Sequence, residues 1–215
     1  GYTDVISMHQ AGIENVVASS GTSLTSGQIR LIHRFTNNIT VLYDGDSAGI
    51  KATFKAVNLF LEQGLNVKTV LFPDGEDPDS FARSRTADEF KAFLSDNSRN
   101  FILYKTDILV KQAGNDPIKR AGMIKDIVYT ISLVPDLLER STYLQQCSNL
   151  LQVDEVVLSN ALKKQLRQNS FDKAKKGQSQ EENIELHILP HLGDALALET
   201  IDIGRLHLRE SGRGV

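Results

Sequence analysis

The chain has 215 residues, 40% of them hydrophobic, which is enough for one medium domain or two small ones with buried cores. Its formal net charge of −3 argues against a freestanding, strongly basic nucleic-acid binder. The lone cysteine, Cys147, excludes an internal disulfide framework and a cysteine-based zinc site within the chain, and it fits a reducing, cytoplasmic setting. We expect no membrane partner, because no apolar run approaches the roughly 18 residues of a membrane helix and no signal peptide is visible.

Residues 1–85 alternate short apolar runs with helical patterns, which predicts an α/β fold with a parallel sheet flanked by helices. The predicted strands are 15–19, 39–43 and 67–72, and the predicted helices are 4–11, 25–34 and 48–63. Thr25-Ser26-Gly27-Gln28 is a possible capping box at the second helix. Gly64 lies where the third helix would take its C′ glycine.

Residues 86–169 carry only helical patterns and predict an all-helical subdomain. Thr86-Ala87-Asp88-Glu89 is a second capping box, and Asp116-Pro117 predicts an N-cap followed by proline at the first helical position. An apolar stripe predicts the buried face of the helix that Pro135 ends; its residues are Ile118, Met123, Ile127 and Ile131. Two further helices, 137–151 and 154–166, complete a small bundle.

The last part of the chain has no predicted core. Residues 170–183 are polar and predict a linker. Residues 184–215 form a tail to which the sequence assigns no role.

Acidic residues follow two of the predicted strands. Asp44 and Asp46 come directly after residues 39–43, and the acidic segment 74–79 follows residues 67–72. In an open parallel sheet, ligands bind beyond the carboxyl ends of the strands, so we expect the two segments to meet at one edge. Carboxylates this close raise one another's pKa unless a cation balances them. Clustered oxygen ligands suit Mg²⁺ or Mn²⁺, so the pattern predicts a divalent-metal site that handles phosphates.

The predicted metal ligands are Asp44, Asp46, Asp77 and Asp79, with Asp4 facing the same crevice from the first helix. Two ions about 3.5–4 Å apart could activate an attacking hydroxyl and stabilise the leaving oxygen of a phosphoryl transfer. Ser20, Gly21 and Thr22 follow the strand 15–19, where backbone N–H groups could cradle a phosphate. Simpler interpretations exist, because Asp-Gly and Asp-Pro are ordinary turn pairs, Asp46 could cap a helix, and Ser20-Gly21-Thr22 could be a plain turn.

Four motifs carry a family resemblance: Gly1-Tyr2-Thr3-Asp4-Val5, Ala18-Ser19-Ser20-Gly21-Thr22, Tyr43-Asp44-Gly45-Asp46-Ser47-Ala48-Gly49 and Phe72-Pro73-Asp74-Gly75-Glu76-Asp77-Pro78-Asp79. In this order they closely resemble the Toprim segment of bacterial DnaG-type primases, from Gly1 to about Ala82. The helical section to about Gln168 resembles the end of the primase RNA-polymerase core. The implied fold is an N-terminally truncated Toprim-type sheet over residues 1–85, followed by a helical subdomain.

The resemblance implies a nucleotidyltransferase that makes short RNA primers during DNA replication, with Mg²⁺ or Mn²⁺. By matching motifs, it assigns catalytic and metal-binding roles to Asp44 and Asp46, metal-binding roles to Asp77 and Asp79, and an auxiliary role to Asp4. The implied partners are a single-stranded DNA template, ribonucleoside triphosphates and the nascent RNA primer. In the parent protein, the replicative helicase of the primosome is a further partner.

The family motif places a catalytic glutamate immediately before the position of Gly1, and the zinc-binding and template-binding parts of the family lie further upstream. We therefore expect this chain to be a piece of a longer protein that makes no primers by itself. The tail after about Glu181 resembles no primase helicase-binding domain.

Three alternatives stay open at this point. Another Toprim enzyme acting on DNA, a topoisomerase or a nuclease, would share the acidic motifs. A receiver-type signalling domain with Asp44 as phosphoacceptor would need a lysine at a late strand end, where an acidic segment follows Phe72 instead. The third alternative is a catalytically incompetent interaction module. The Asp77-Pro78-Asp79 context and the helical continuation favour the primase.

Overall fold

The structure, a computed structural model, describes residues 2–18, 24–43, 47–73, 75–179 and 198–201. The helices in these ranges are α1 (Tyr2–Gln10), α2 (Ser26–His33), α3 (Ser47–Glu62), α4 (Pro78–Ser84), α5 (Ala87–Asn97), α6 (Phe101–Ala113), α7 (Pro117–Leu133), α8 (Leu137–Leu151) and α9 (Glu155–Ser179). The strands are β1 (Val16–Val17), β2 (Asn38–Tyr43), β3 (Asn66–Leu71), β4 (Arg99–Asn100) and β5 (Leu198–Ile201). Every predicted helix and strand overlaps one of these elements.

The strands form one mixed sheet in the order β1-β5-β2-β3-β4. Its centre confirms the predicted parallel pairing, because β2 and β3 run parallel from the pair Asn38–Asn66 to the pair Tyr43–Leu71. β4 and β5, which the sequence did not predict, run antiparallel to their neighbours, so the sheet as a whole is mixed. β4 has two residues and β5 has four, which is too short for a hydrophobic period to reveal either strand.

The two faces of the β2–β3 pair carry separate apolar clusters, because side chains alternate along a strand. Ile39 and Val41 belong to the larger cluster, to which α2, α3 and the helices α6–α9 contribute. Leu42 and Val70 belong to the smaller cluster, to which α1, α4 and α5 contribute. The sheet therefore lies between two helical layers, and α1 and α4 share the layer that carries the described acidic residues.

An aromatic cluster joins β3 to α4 and α5. The ring centroid of Phe81 lies 5.2 Å from that of Phe72 and 5.4 Å from that of Phe90, both in edge-to-face geometry. All three side chains are buried. This packing places α5 in the same layer as α1 and α4, so the first structural layer continues past residue 85, where the sequence predicts the end of the first section.

The helices α5 and α7 begin at the predicted capping residues, Thr86 and Asp116. Asp116 caps α7 by accepting hydrogen bonds from the backbone N–H groups of Ile118 and Lys119 at 2.9 and 3.3 Å. The predicted stripe of α7 is buried at Met123, Ile127 and Ile131, but Ile118 is 84% exposed, which corrects its assignment to the core. At 3.6 residues per turn, the five residues from Ile118 to Met123 rotate the helix by about 140° beyond one full turn. Ile118 therefore lies on a different face of α7 from the buried residues.

The helix α9 continues into the predicted linker. The sequence predicts a helix end near residue 166 and a linker from 170, but α9 runs to Ser179. Gln165 donates to Asn169 at 2.9 Å and Gln168 donates to Asp172 at 3.0 Å, and such i,i+4 pairs support a helix that buries little surface. Although α9 has 25 residues, neither it nor any other helix in the described part of the chain is long and apolar enough to cross a membrane.

Candidate metal centre

The two strands that precede the acidic segments end side by side. Tyr43 and Leu71 form the last pair of the parallel β2–β3 ladder, so the segments beginning at Asp44 and Phe72 start on neighbouring strands. Neighbouring strands lie about 4.8 Å apart. Five of the predicted site residues lie outside the described residues, namely Ser20, Gly21, Thr22, Asp44 and Asp46. The other three predicted site residues, Asp4, Asp77 and Asp79, lie within the described part of the chain.

Asp77 is the N-cap of α4. Its Oδ1 accepts a hydrogen bond from the backbone N–H of Ser80 at 2.7 Å, and the Ser80 hydroxyl accepts one from the backbone N–H of Asp77 at 3.0 Å. Pro78 takes the first helical position, where a backbone N–H would have no partner within the helix. Because capping uses one carboxylate oxygen and a carboxylate has two, capping and metal coordination are compatible at Asp77.

Asp79 lies in the first turn of α4 and accepts hydrogen bonds from two helices. Within α4, Nε of Arg83 donates to Oδ1 at 3.0 Å, and Nη2 of Arg83 forms an ion pair with Oδ2 at 2.9 Å. From α1, the Ser7 hydroxyl donates to Oδ1. Ser7 is buried, and the Asp79 side chain is 22% exposed. Asp79 therefore ties α1 to α4, and its carboxylate is held in one direction.

Asp4 lies on the same helix as Ser7. It is in the first turn of α1, three residues before Ser7, and residues three apart share a helix face. Because Ser7 bonds to Asp79, this face of α1 is the one that packs on α4. The structure therefore brings Asp4, Asp77 and Asp79 onto two helices in contact.

Arg85 and Glu76 brace the loop between β3 and α4. The two terminal nitrogens of Arg85 donate to the two carboxylate oxygens of Glu76 at 3.0 and 3.3 Å. The guanidinium carbon of Arg85 lies 3.6 Å from the centroid of the Phe81 ring. In the same loop, Gly75 has a φ of +81°, a conformation that glycine adopts far more easily than other residues. These contacts define how the chain reaches Asp77.

Three side chains that were not predicted as site residues hold this acidic segment: Ser7, Arg83 and Arg85. Arg83 could have been found from its i,i+4 spacing to Asp79, which is a helical ion-pair spacing. Ser7 and Arg85 have no such signal. Ser7 is 72 residues from Asp79 in the chain and meets it only because α1 packs on α4.

The described carboxylates fit a hard divalent ion in ligand type, since Mg²⁺ and Mn²⁺ prefer carboxylate oxygens. Within the described part of the chain, no three acidic, histidine or cysteine side chains gather closely enough to hold an ion. A complete site would therefore need further ligands from outside that part, and Asp44 and Asp46 are the predicted ones.

Comparison with known families matches both sections of the chain. A family described as Toprim-like matches residues 1–82. A second family, described as the DnaB-helicase binding domain of primase, matches residues 104–155. A DNA primase from Listeria innocua is 37% identical over 186 residues, which are 85% of this chain and 29% of that protein.

Solved structures agree with these matches. A DNA primase domain from Pseudomonas aeruginosa superposes with a TM-score of 0.66 at 27% identity, over 75% of this chain and 52% of that one. A DnaG primase catalytic domain bound to single-stranded DNA superposes with a TM-score of 0.62 at 33% identity, over 69% of this chain and 49% of that one. The chain belongs to the DnaG-type primases. This confirms the predicted family and its α/β sheet followed by a helical subdomain.

The DnaG-type match covers only part of each relative. The chain spans less than a third of the length of the curated relatives it matches, 27% of one from Staphylococcus aureus and 29% of the Listeria protein. In the helical section, the family match to residues 104–155 includes all of α7 and α8 and most of α6. That section is the one that the sequence assigns to the end of the RNA-polymerase core.

Proposed function

We propose that this chain supplies the metal-binding part of a DNA primase, which joins ribonucleotides into short RNA primers on a single-stranded DNA template during replication. One observation carries the proposal: the parallel β2–β3 ladder runs to the pair Tyr43–Leu71, so both acidic segments start at one edge of the sheet. The template class is supported by the similar DnaG catalytic domain that is bound to single-stranded DNA. The DNA primase relatives support the reaction class.

The proposed ligands of Mg²⁺ or Mn²⁺ are Asp44, Asp46, Asp77 and Asp79, with Asp4 as an auxiliary acidic residue. A bound divalent ion would supply the positive charge that phosphates require and would lower the pKa of an attacking hydroxyl. The chain itself orients the carboxylates. The N-cap hydrogen bond points Oδ1 of Asp77 at the start of α4, and the Ser7 hydroxyl directs Asp79 from α1.

The proposed reaction is a nucleotidyl transfer. The 3′-hydroxyl oxygen of the nascent primer forms a bond to the α-phosphorus of an incoming ribonucleoside triphosphate, the bond to pyrophosphate breaks, and the hydroxyl proton leaves to solvent. We assign the catalytic carboxylates to Asp44 and Asp46. We assign Ser20, Gly21 and Thr22 to holding a nucleotide phosphate through their backbone N–H groups.

We also propose a replicative helicase as a partner of the protein and the cytoplasm as its location. The helicase is supported by the match of residues 104–155 to the DnaB-helicase binding domain of primase. This contact can be tested by co-purification of a DnaB-type helicase with the chain and with a variant that carries Ile118→Asp and Leu138→Asp, two exposed apolar positions within residues 104–155. Equal recovery with both would place the contact elsewhere.

The metal assignment is tested by titrating the ¹⁵N-labelled chain with Mn²⁺, whose unpaired electrons broaden nearby NMR signals. We expect broadening around Asp77 and Asp79 in the natural chain. The double substitution Asp44→Asn with Asp46→Asn should abolish it, whereas Asp88→Asn, at an exposed position in α5, should not. Unchanged broadening in the double variant would refute the assignment.

The reaction is tested by incorporation of labelled ribonucleotides on a single-stranded template. We expect no primers from this chain alone. We expect primers from a chimera in which residues 1–169 replace the matching segment of the Listeria primase, and none when that chimera carries Asp44→Ala. Relaxation or cleavage of supercoiled plasmid by the chain would instead favour the topoisomerase or nuclease alternative. A folded chimera that makes no RNA would favour an incompetent interaction module.

A further inference from the structure

We propose that Arg83 competes with the divalent ion for the carboxylate of Asp79, so that metal binding at this residue exchanges one cation for another. The inference rests on the proposed function, because it takes Asp79 as a metal ligand. It assigns to Arg83 a role in setting metal affinity, acting through Asp79.

The competition follows from how the Asp79 oxygens are used. Each carboxylate oxygen can accept about two hydrogen bonds, which makes about four acceptor directions in all. Oδ1 accepts hydrogen bonds from the Ser7 hydroxyl and from Nε of Arg83, and Oδ2 lies 2.9 Å from Nη2 of Arg83 in an ion pair. A single guanidinium therefore bridges both oxygens. An ion that binds Asp79 through both oxygens must displace this guanidinium.

Of the two donors to Asp79, Arg83 is the one that can leave. Ser7 is buried, with 7% exposure, and it donates to Asp79 from the neighbouring helix α1. The Arg83 side chain is 67% exposed. It also lines an open cavity of about 470 Å³, together with Ser7, Arg85 and Thr86. The guanidinium can therefore rotate into the cavity while Ser7 keeps Asp79 in place.

Charge favours exchange over joint occupancy. A guanidinium and a divalent cation that share one carboxylate repel each other at short range. The ion pair itself is weak, because exposed i,i+4 pairs contribute little to stability. Metal can therefore open the ion pair, and the ion pair lowers the metal affinity by up to about 5-fold on these energies.

The ion pair between Arg83 and Asp79 weakens metal binding but stabilises the metal-free protein. There, the guanidinium of Arg83 balances the charge of Asp79 beside the other carboxylates of the segment. Loss of Arg83 should therefore lower the melting temperature without metal and tighten the binding of metal. A residue with only a structural role would lower the melting temperature and weaken metal binding or leave it unchanged.

The test is the Kd for Mn²⁺ of the full chain, measured from the electron paramagnetic resonance signal of free Mn²⁺. We expect Arg83→Gln to tighten Mn²⁺ binding by about 2- to 5-fold. The matched control is Arg85→Gln, which removes the same charge from a neighbouring arginine that pairs with Glu76 rather than Asp79. The Kd of the control for Mn²⁺ should stay within about 2-fold of the Kd of the natural chain. Equal tightening in both variants, or no tightening in Arg83→Gln, would overturn the proposal.

Variants of Asp79 distinguish a failure of this inference from a failure of the proposed metal site. Asp79→Asn should weaken Mn²⁺ binding, and adding Arg83→Gln to it should change the Kd no further, because the shared carboxylate is gone. If Asp79→Asn weakens binding and Arg83→Gln does not tighten it, only the role of Arg83 is refuted. If the natural chain binds no Mn²⁺, the proposed metal site fails and this inference fails with it. If Asp79→Asn binds Mn²⁺ as tightly as the natural chain, Asp79 is not a ligand, and this inference fails while the other proposed ligands stand.

Discussion

The ammonium group of Lys105 is buried beside α7, where it lies 2.9 Å from Oδ1 of Asp126. It also donates to the Thr130 hydroxyl at 2.8 Å and lies 5.2 Å from the centroid of the Phe54 ring, so it joins α6 to α7 and α3. The two partners differ in environment, because the Lys105 side chain is 3% exposed and the Asp126 side chain is 46% exposed. Removing one partner is therefore not equivalent to removing the other.

We predict that Asp126→Ala destabilises the fold more than Lys105→Met. The first change leaves a buried ammonium without its carboxylate and should lower the free energy of unfolding by about 2–4 kcal/mol. The second replaces the charge with an apolar chain of similar volume and leaves Asp126 in contact with water, so we expect a change within about 1 kcal/mol. Urea denaturation followed by circular dichroism measures both, with Lys111→Met at an exposed position of α6 as the control. A larger loss in Lys105→Met would contradict this account.

We predict that two substitutions at Asp77 separate its capping role from its charge. Asn caps a helix about as well as Asp, so Asp77→Asn should keep the free energy of unfolding within about 0.5 kcal/mol and still weaken Mn²⁺ binding. Asp77→Ala should lower the free energy of unfolding by about 1 kcal/mol, because the backbone N–H of Ser80 loses its acceptor. Thermal unfolding and the Mn²⁺ Kd are measured on the same samples. Unchanged Mn²⁺ binding in Asp77→Asn would remove Asp77 from the metal site.

We predict that Glu89 makes stability depend on pH in the acid range. The hydrogen bond from the backbone N–H of Thr86, and then the one from its hydroxyl, hold the pKa of Glu89 below its ordinary value of 4.5. Because the pKa is lowered on folding, the ionised side chain contributes stability above pH 4.5, and this is lost as the pH falls through the lower pKa of the folded chain. The stability difference between the natural chain and Glu89→Gln should therefore shrink below pH 4.5. A difference independent of pH would contradict the assignment.

We predict that Cys147 reacts slowly with thiol reagents while the chain is folded. Burial raises the pKa of its thiol, and the hydrogen bond with the Thr106 hydroxyl at 3.5 Å opposes this effect only in part. Since the neutral thiol is favoured on folding, the thiol contributes stability below its ordinary pKa of 9.0, and this is lost as the pH rises above it. At pH 8 we expect rapid reaction with Ellman's reagent in urea and slow reaction in buffer.

Because Cys147 is the chain's single cysteine, the same assay reports whether each variant is folded. Rapid, complete modification of the natural chain in buffer would show that the packing around Cys147 is wrong.

Local signals allowed much of the fold to be predicted from the sequence. The capping boxes at Thr25 and Thr86 and the Asp-Pro start at Asp116 form as predicted, because a cap and its partner lie within three residues of each other. The pairing of β2 with β3 also follows from the alternation of strands and helices. The same alternation put the two acidic segments at neighbouring strand ends, where Asp77 and Asp79 enter α4.

Tertiary packing decided what lies far apart in the chain. The contact of Ser7 with Asp79 and the insertion of β5 between β1 and β2 depend on elements that meet only after folding. Ile118 is apolar but exposed, and α9 continues through a polar segment to Ser179. The apolar or polar character of a residue alone therefore does not determine whether another element packs on it. The sequence by itself determined which residues start helices, form the central strands and bring acidic groups to strand ends, because those interactions act over a few residues. Only the tertiary structure decided which side chains hold Asp79, because that depends on how two layers pack around one sheet.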